Sequence, residues 1–168
     1  MQKHLLLIII FVSTFAKAQD TPISAFLEKW ENSKNYLIEM AEAMPEDKYD
    51  FKPTDRQKSF KEQLLHIKGN MDWLSTTYFS EDKKDVSKKT YTTKAEIILA
   101  LKEAFNNTAN IIKNTSADEL KKVVEFFAGP KTKLQILNLL QDHVTHHRGQ
   151  IIVYLNLNEV KPPKYRGW

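Results

Sequence analysis

A short segment near the C-terminal end of this 168-residue chain holds three of its five histidines. These are His143, His146 and His147. Residues four positions apart on a helix point only about 40° apart around its axis, so His143 and His147 can present two imidazoles to one ion. Divalent ions such as zinc and nickel bind neutral imidazole well. The spacing therefore predicts two ligands of a metal site.

A third ligand can come from His66, far upstream in the sequence. If its segment is also helical and packs beside the first, His66, His143 and His147 meet around one divalent ion and leave a coordination position for water or substrate. The competing interpretation is that each imidazole is a hydrogen-bonded core residue and that the spacing is accidental. His147 falls on the apolar side of its helix, where an unpartnered imidazole is costly, and this favours the metal.

Four further polar residues can lie near such an ion. His146 points about 100° away from His147, so we expect it at a neighbouring helix, the rim of the cleft or solvent. Asn70 and Gln150 can face the cleft and contact a ligand histidine or a substrate, or they can be ordinary polar positions. Asp142 can orient a histidine or simply face solvent. The residues alone assign a catalytic role to none of them.

Three aromatic residues and one arginine allow a similar choice. Trp30, Trp73 and Tyr78 could line a pocket, but aromatic residues at helical spacing belong to the core more often. Arg148 could bind an anionic substrate through two parallel hydrogen bonds. A structural salt bridge is the interpretation that we favour for Arg148.

The N-terminal residues predict the compartment. Lys3 and His4 precede an apolar run at residues 5–12, and Ala16-Lys17-Ala18 is the small-x-small pattern of a cleavage site, so residues 1–18 read as a secretory signal peptide. The apolar run is shorter than the roughly 20 residues that span a bilayer. No cysteine is present to carry a lipid. We therefore expect a periplasmic or secreted protein without a stable membrane anchor.

Residues 19–168 then form the mature chain, whose length is typical of one domain. Removal of Lys3 and Lys17 with the signal peptide lowers the formal charge from +4 to +2. Basic and acidic residues are interspersed, without a basic block that would indicate nucleic-acid binding. Because the chain has no cysteine, a metal site must use histidine, carboxylate or water.

Apolar residues at three- and four-residue spacing predict an all-α fold, a four-helix bundle. The helices are expected to begin at Thr21-Pro22, at the capping box Ser59–Glu62, at the capping box Thr93–Glu96 and at Thr132. Between the last two helices, residues 123–127 followed by Gly129-Pro130 predict a short irregular or extended excursion. Residues 80–89 are charged and predict a loop.

Four segments in this order resemble the DinB family, the superfamily of DNA-damage-inducible-like proteins. They are the run His143–Gln150, the segment Leu64–Ile67, the link Met44–Pro53 and the closing Lys161-Pro162-Pro163. The resemblance covers nearly the whole mature chain. It implies a four-helix bundle, often dimeric, whose metal ligands map onto His66, His143 and His147.

The resemblance also implies candidate functions. Relatives include metal-dependent transferases and isomerases that use low-molecular-weight thiols such as bacillithiol, mycothiol or glutathione, with the ion lowering the pKa of the thiol. Those thiols are mainly cytoplasmic, so the predicted signal peptide departs from that pattern. Two alternatives therefore stay open: a hydrolase that activates metal-bound water with Asp142 as base, and a non-enzymatic protein that binds a metal or a small ligand.

Overall fold

The computed structural model describes residues 21–81 and 89–167. The predicted signal peptide and most of the predicted loop at residues 80–89 lie outside them. Four long helices dominate the described part: α1 (Pro22–Ala43), α2 (Phe60–Tyr78), α3 (Lys94–Lys113) and α4 (Lys133–Leu157). Two single turns of 3-10 helix, Glu46–Lys48 and Glu119–Lys121, and two short strands, β1 (Val123–Val124) and β2 (Lys131–Thr132), join them. The prediction of a four-helix, all-α fold is confirmed.

Local hydrogen bonds explain where the helices begin. The Thr21 side chain accepts a hydrogen bond from the Ser24 amide ahead of α1, with Pro22 in the first turn. Full capping boxes open the other three helices, and their residue pairs are Ser59 with Glu62, Thr93 with Glu96, and Thr132 with Gln135. Each cap satisfies backbone amides that the helix leaves unpaired and contributes about 1 kcal/mol.

The helices bury their apolar faces against one another in a single core. Both α1 and α2 pack against α3 and α4, so α1 and α2 sit at opposite corners of the bundle. Trp30 is fully buried, stacks on Phe26 and donates from Nε1 to the Phe105 carbonyl at 3.0 Å. Trp30 is therefore a core residue, as its spacing predicts.

The apolar side of α4, on which His147 is expected, faces the core. His147 itself is half-buried, and the apolar residues along this side are buried. His147 lies at the edge of the core, where α4 faces α2. The buried members of this face are Leu137, Leu140, Val144, Ile151 and Tyr154.

The excursion before α4 is a small antiparallel hairpin. Val123 pairs with Thr132 and Val124 with Lys131, and Gly129 takes a positive φ of 86° in the turn. The expectation of extended structure is confirmed, although each strand is only two residues long. Thr132 both ends β2 and caps α4, so the hairpin leads directly into the helix that carries the histidine pair.

An aromatic cluster joins this hairpin to the C-terminal end of α2. Trp73 stacks on Phe126 and Phe127 with ring centroids 6.0 and 6.3 Å apart, and Tyr78 contacts Phe126 edge-on. Trp73 is 40% exposed, so the core prediction for this residue is wrong. The reason is that the hairpin packs on the outer face of α2, and helical spacing cannot distinguish this contact from the core.

After α4 the chain turns back along α1. Glu159 has a positive φ of 57°, and the prolines at 162 and 163 prevent a further helix. The tail is held by an ion pair from Arg166 to Glu39 and by an edge contact of Tyr165 with Tyr36. Within the described residues, no helix combines the length and the apolar character needed to cross a membrane.

Candidate metal centre

Two antiparallel helices bring the three predicted ligands together. Phe60 near the start of α2 lies beside Tyr154 near the end of α4. About one and a half turns further along α2, the His66 ring contacts the rings of His143 and His147. One ligand nitrogen from each histidine lies within 4.8 Å of the others. Nε2 of His66 and Nε2 of His143 are only 3.1 Å apart.

This geometry fits a metal ion. Zinc binds imidazole nitrogen at about 2.0–2.1 Å, so two nitrogens on one tetrahedral ion lie roughly 3.3 Å apart. The separation of His66 and His143 is close to that value. Because all three donors are nitrogens, the set suits zinc or nickel, whereas calcium and magnesium prefer oxygen. Three protein ligands leave at least one position open for another molecule.

Two glutamine side chains fix the orientation of His147. Its Nδ1 lies 2.9 Å from Oε1 of Gln63 and 3.3 Å from Oε1 of Gln150. An amide oxygen only accepts, so Nδ1 carries the proton and donates it, which leaves the Nε2 lone pair for an ion. Gln63 is 2% exposed, and its Nε2 donates to Gln150 at 2.7 Å.

Sequence reasoning identified Gln150 and missed Gln63. Gln63 lies three residues before His66 on the inner side of α2, between Phe60 and Ile67. The available signal was a polar residue at a position that the apolar pattern would fill with an aliphatic one. A buried amide needs hydrogen-bond partners, and those of Gln63 belong to the histidine site.

His146 takes the outer position that its angle predicts. It is exposed, and its ring meets His147 edge-on at 4.8 Å between centroids. Nε2 of Gln150 donates to Nε2 of His146 at 3.0 Å. Gln150 therefore links His146 to Gln63 and His147.

Asn70 and Asp142 differ in their placement. Asn70 is half-buried, and its Oδ1 is a buried acceptor without a hydrogen-bond partner among the described residues. His143 Nδ1 is a buried nitrogen in the same situation. The Asp142 side chain is exposed and makes no ion pair or hydrogen bond within residues 21–81 and 89–167. Of its two predicted roles, Asp142 takes the solvent-facing one.

The electrostatics of the site keep the histidines neutral. Burial, reinforced by His147 and His66, lowers the pKa of His143 to about 4. Burial, reinforced by His66, also lowers the pKa of His147 to about 4, against the opposing effect of the Gln150 hydrogen bond. For His66 the pKa is lowered by burial and then by the charge of Lys58. Metal ligation requires unprotonated imidazole, so all three are in the binding form at pH 7.

Arg148 faces away from this site. It is 5% exposed, donates from Nη1 to Ser33 Oγ at 3.3 Å and places its guanidinium 5.1 Å from the centre of the Tyr36 ring. The described residues contain no carboxylate paired with it, so the predicted salt bridge is wrong. Arg148 follows His147 by about 100° around α4, which turns it toward α1, where the Tyr36 ring supplies a cation–π contact instead.

Comparisons with known proteins agree with this architecture. The profile of the DinB family matches residues 13–166. The Bacillus subtilis protein YjoA is 22% identical over 125 residues, which cover 73% of this chain and 81% of YjoA. Its crystal structure, described as DinB-like, has a TM-score of 0.71 at 21% identity and covers 84% of this chain and 97% of the other. A DinB-like protein from Bacillus cereus has a TM-score of 0.71 at 18% identity, with 86% and 97% covered. At these identities the likeness shows the fold.

Proposed function

This chain belongs to the DinB family, and we propose that it binds one divalent ion, zinc or nickel, through His66, His143 and His147. The observation that carries the proposal is the convergence of one nitrogen from each of these residues within 4.8 Å. The hydrogen bond from His147 to Gln63 supports it, because it places the proton on Nδ1 and leaves the Nε2 lone pair free for an ion.

We further propose that the ion serves a transferase reaction on a low-molecular-weight thiol. A bound divalent ion lowers the pKa of a thiol or a water molecule and so supplies a nucleophile at neutral pH. An ordinary thiol has a pKa near 8.5 and water about 15.7, so a thiol needs far less help from a protein base.

The residues around the site also favour the thiol, because none of them is placed to act as the base that a water nucleophile would need. No carboxylate belongs to the histidine group in the described part of the chain. Asp142 is exposed. Glu62, the acidic residue in the wall of the cleft beside His66, accepts from the Ser59 amide at 2.6 Å and pairs with Lys52. Neither is placed as a free general base for hydrolysis.

Metal analysis of protein purified without a histidine tag tests the first part. We expect about one equivalent of zinc or nickel in the wild type and less than a tenth of that in His147→Ala. The matched control is His146→Ala, which removes the neighbouring exposed imidazole and should keep the metal. Stoichiometric metal in His147→Ala would contradict the ligand assignment.

The thiol is tested separately with cobalt-substituted protein. A thiol that joins the ion should produce a new sulfur-to-cobalt absorption band in the near ultraviolet, and the band should saturate with thiol concentration. Bound cobalt that shows no spectral change with bacillithiol, mycothiol, glutathione or cysteine would argue for a protein that only binds metal.

Export is part of the proposal, because residues 1–18 predict a signal peptide. If the protein is exported, the thiol must be available outside the cytoplasm. N-terminal sequencing of the protein from the periplasm or medium of the producing cell should begin at Gln19. Intact protein beginning at Met1 and confined to the cytoplasm would contradict export while leaving the metal site untouched.

A further inference from the structure

A cleft of about 480 Å³ opens beside the metal centre and has His66 in its wall. It is formed by the segment that precedes α2 and by the first turns of α2. The lining residues are Arg56, Gln57, Lys58, Glu62, Leu65 and His66. The cleft is therefore continuous with the histidine site and has room for more than a water molecule.

Two cations in this cleft lack an acidic partner. Arg56 and Lys58 are exposed, and neither forms an ion pair with another described residue. Glu62 is the acidic residue in the lining, and its carboxylate caps α2 at the Ser59 amide and lies 3.4 Å from Lys52. The cations of the cleft are thus left available to a ligand, because the one acidic side chain is occupied elsewhere.

Hydrogen bonds hold the backbone of this segment in place. The Tyr154 hydroxyl donates to the Lys58 carbonyl at 2.6 Å, which ties the segment to α4 one turn beyond Gln150. The Gln57 amide donates to the Thr54 carbonyl at 3.0 Å, and Ser59 caps the helix that follows. Lys58 is close enough for its charge to act on both His66 and His147. The backbone that carries Arg56 and Lys58 therefore has a defined position relative to the proposed ion.

We propose that this cleft binds a carboxylate on the same small molecule whose metal-binding atom reaches the histidines. The inference rests on the proposed metal centre and names the class of its ligand: a small carboxylic acid with a second, metal-binding group. The Arg56 guanidinium matches a carboxylate with two parallel hydrogen bonds, and Lys58 adds a second charge. The ion then receives the other end of the molecule.

Cobalt-substituted full-length mature protein provides the test. The probes are acetohydroxamate and succinate monohydroxamate, which share a metal-binding group and differ in a carboxylate on the tail. Cobalt absorption gives both affinities without requiring that the natural ligand be a thiol. At low ionic strength we expect the carboxylated probe to bind about tenfold more tightly, since each of two partly exposed charge pairs strengthens binding by about threefold.

The double variant Arg56→Gln with Lys58→Gln should reduce that preference to less than threefold, with most of the loss on the carboxylated probe. Its control is Lys102→Gln with Lys121→Gln, which removes the same charge from exposed positions that pair with Glu42 and Asp118. This control should keep the tenfold preference. A loss of the preference in the Arg56 and Lys58 variant, together with its retention in the control, is the result that supports the cleft.

Three outcomes would separate the proposals. A preference that survives in the Arg56 and Lys58 variant, or that falls equally in the control, overturns the carboxylate cleft and leaves the metal centre standing. Binding of both probes as expected, with no thiol bound, overturns the thiol reaction and leaves the cleft. Failure of the wild type to bind cobalt overturns the metal centre and the cleft with it.

Discussion

Oε1 of Gln63 lies 2.9 Å from Nδ1 of His147, so a buried amide on α2 sets the tautomer of a histidine on α4. Replacing Gln63 with Leu keeps a similar volume and removes the acceptor. We expect this variant to bind zinc about 10–100-fold more weakly, the usual effect of losing the partner of a ligand histidine. Competition with a chromophoric zinc chelator measures the change.

The control for this prediction is Gln63→Glu, which keeps an acceptor oxygen at the same position. It should retain affinity within about fivefold of the wild type, because a carboxylate can also accept from Nδ1. Wild-type affinity in Gln63→Leu would show that the hydrogen bond does not orient the ring. Circular dichroism of both variants checks that the bundle has folded.

The pH dependence of zinc binding follows from the lowered pKa values. Protons compete with the metal for imidazole, and three histidines of ordinary pKa would lose roughly thirtyfold in affinity between pH 7 and pH 6. Here the pKa values of His143 and His147 are about 4, so these residues stay unprotonated across that interval. The pKa of His66 is also below its ordinary value, so we expect a loss of less than about fourfold. Titration calorimetry at the two pH values checks this, and a thirtyfold loss would contradict it.

The starts of the helices could be predicted because their causes are local. A capping box needs only two side chains three residues apart, so Ser59 with Glu62 and Thr93 with Glu96 can be read directly from the chain. The convergence of His66 with His143 and His147 needed one more assumption, that their helices pack side by side. Helical periodicity predicted which side of each helix faces the core, and the structure places the three rings together.

The features that sequence reasoning missed depend on contacts between distant segments. Periodicity places Trp73 on a face of α2 but cannot show that this face meets a hairpin and not the core. Arg148 has its partner, the Tyr36 ring, on another helix, and an aromatic partner leaves no charge pattern in the sequence. Gln63 is a polar residue at an apolar position of α2, but its role depends on His147, which lies on another helix.

Because Arg148 is buried without a carboxylate partner among the described residues, we expect its Lys variant to be less stable than its Met variant. Arg148→Lys should destabilise the fold by about 1–2 kcal/mol, because an ammonium cannot stack on the Tyr36 ring as a guanidinium does and is costly to bury unpaired. Arg148→Met should be less harmful than Arg148→Lys, since it removes the buried charge along with the contact. Urea unfolding gives the order. Zinc affinity should stay within twofold in both, because Arg148 faces α1; a Lys variant more stable than the Met variant would contradict the prediction.

The last prediction concerns the stability of the metal-free protein, in which His143 Nδ1 is buried without a partner among the described residues. A buried polar atom without a partner costs about 1–3 kcal/mol, so His143→Leu should stabilise the metal-free fold. For a domain of this size we expect a rise in Tm of about 2–8 °C.

Excess zinc should raise the Tm of the wild type and not that of the variant, because binding to the folded state stabilises it only when the site is intact. Thr145→Leu, an exposed change two residues away on α4, is the control and should leave the response to zinc unchanged. Thermal unfolding with zinc and with a chelator measures both effects, and a metal-free His143→Leu protein less stable than the wild type would show that the unpaired Nδ1 does not destabilise the fold.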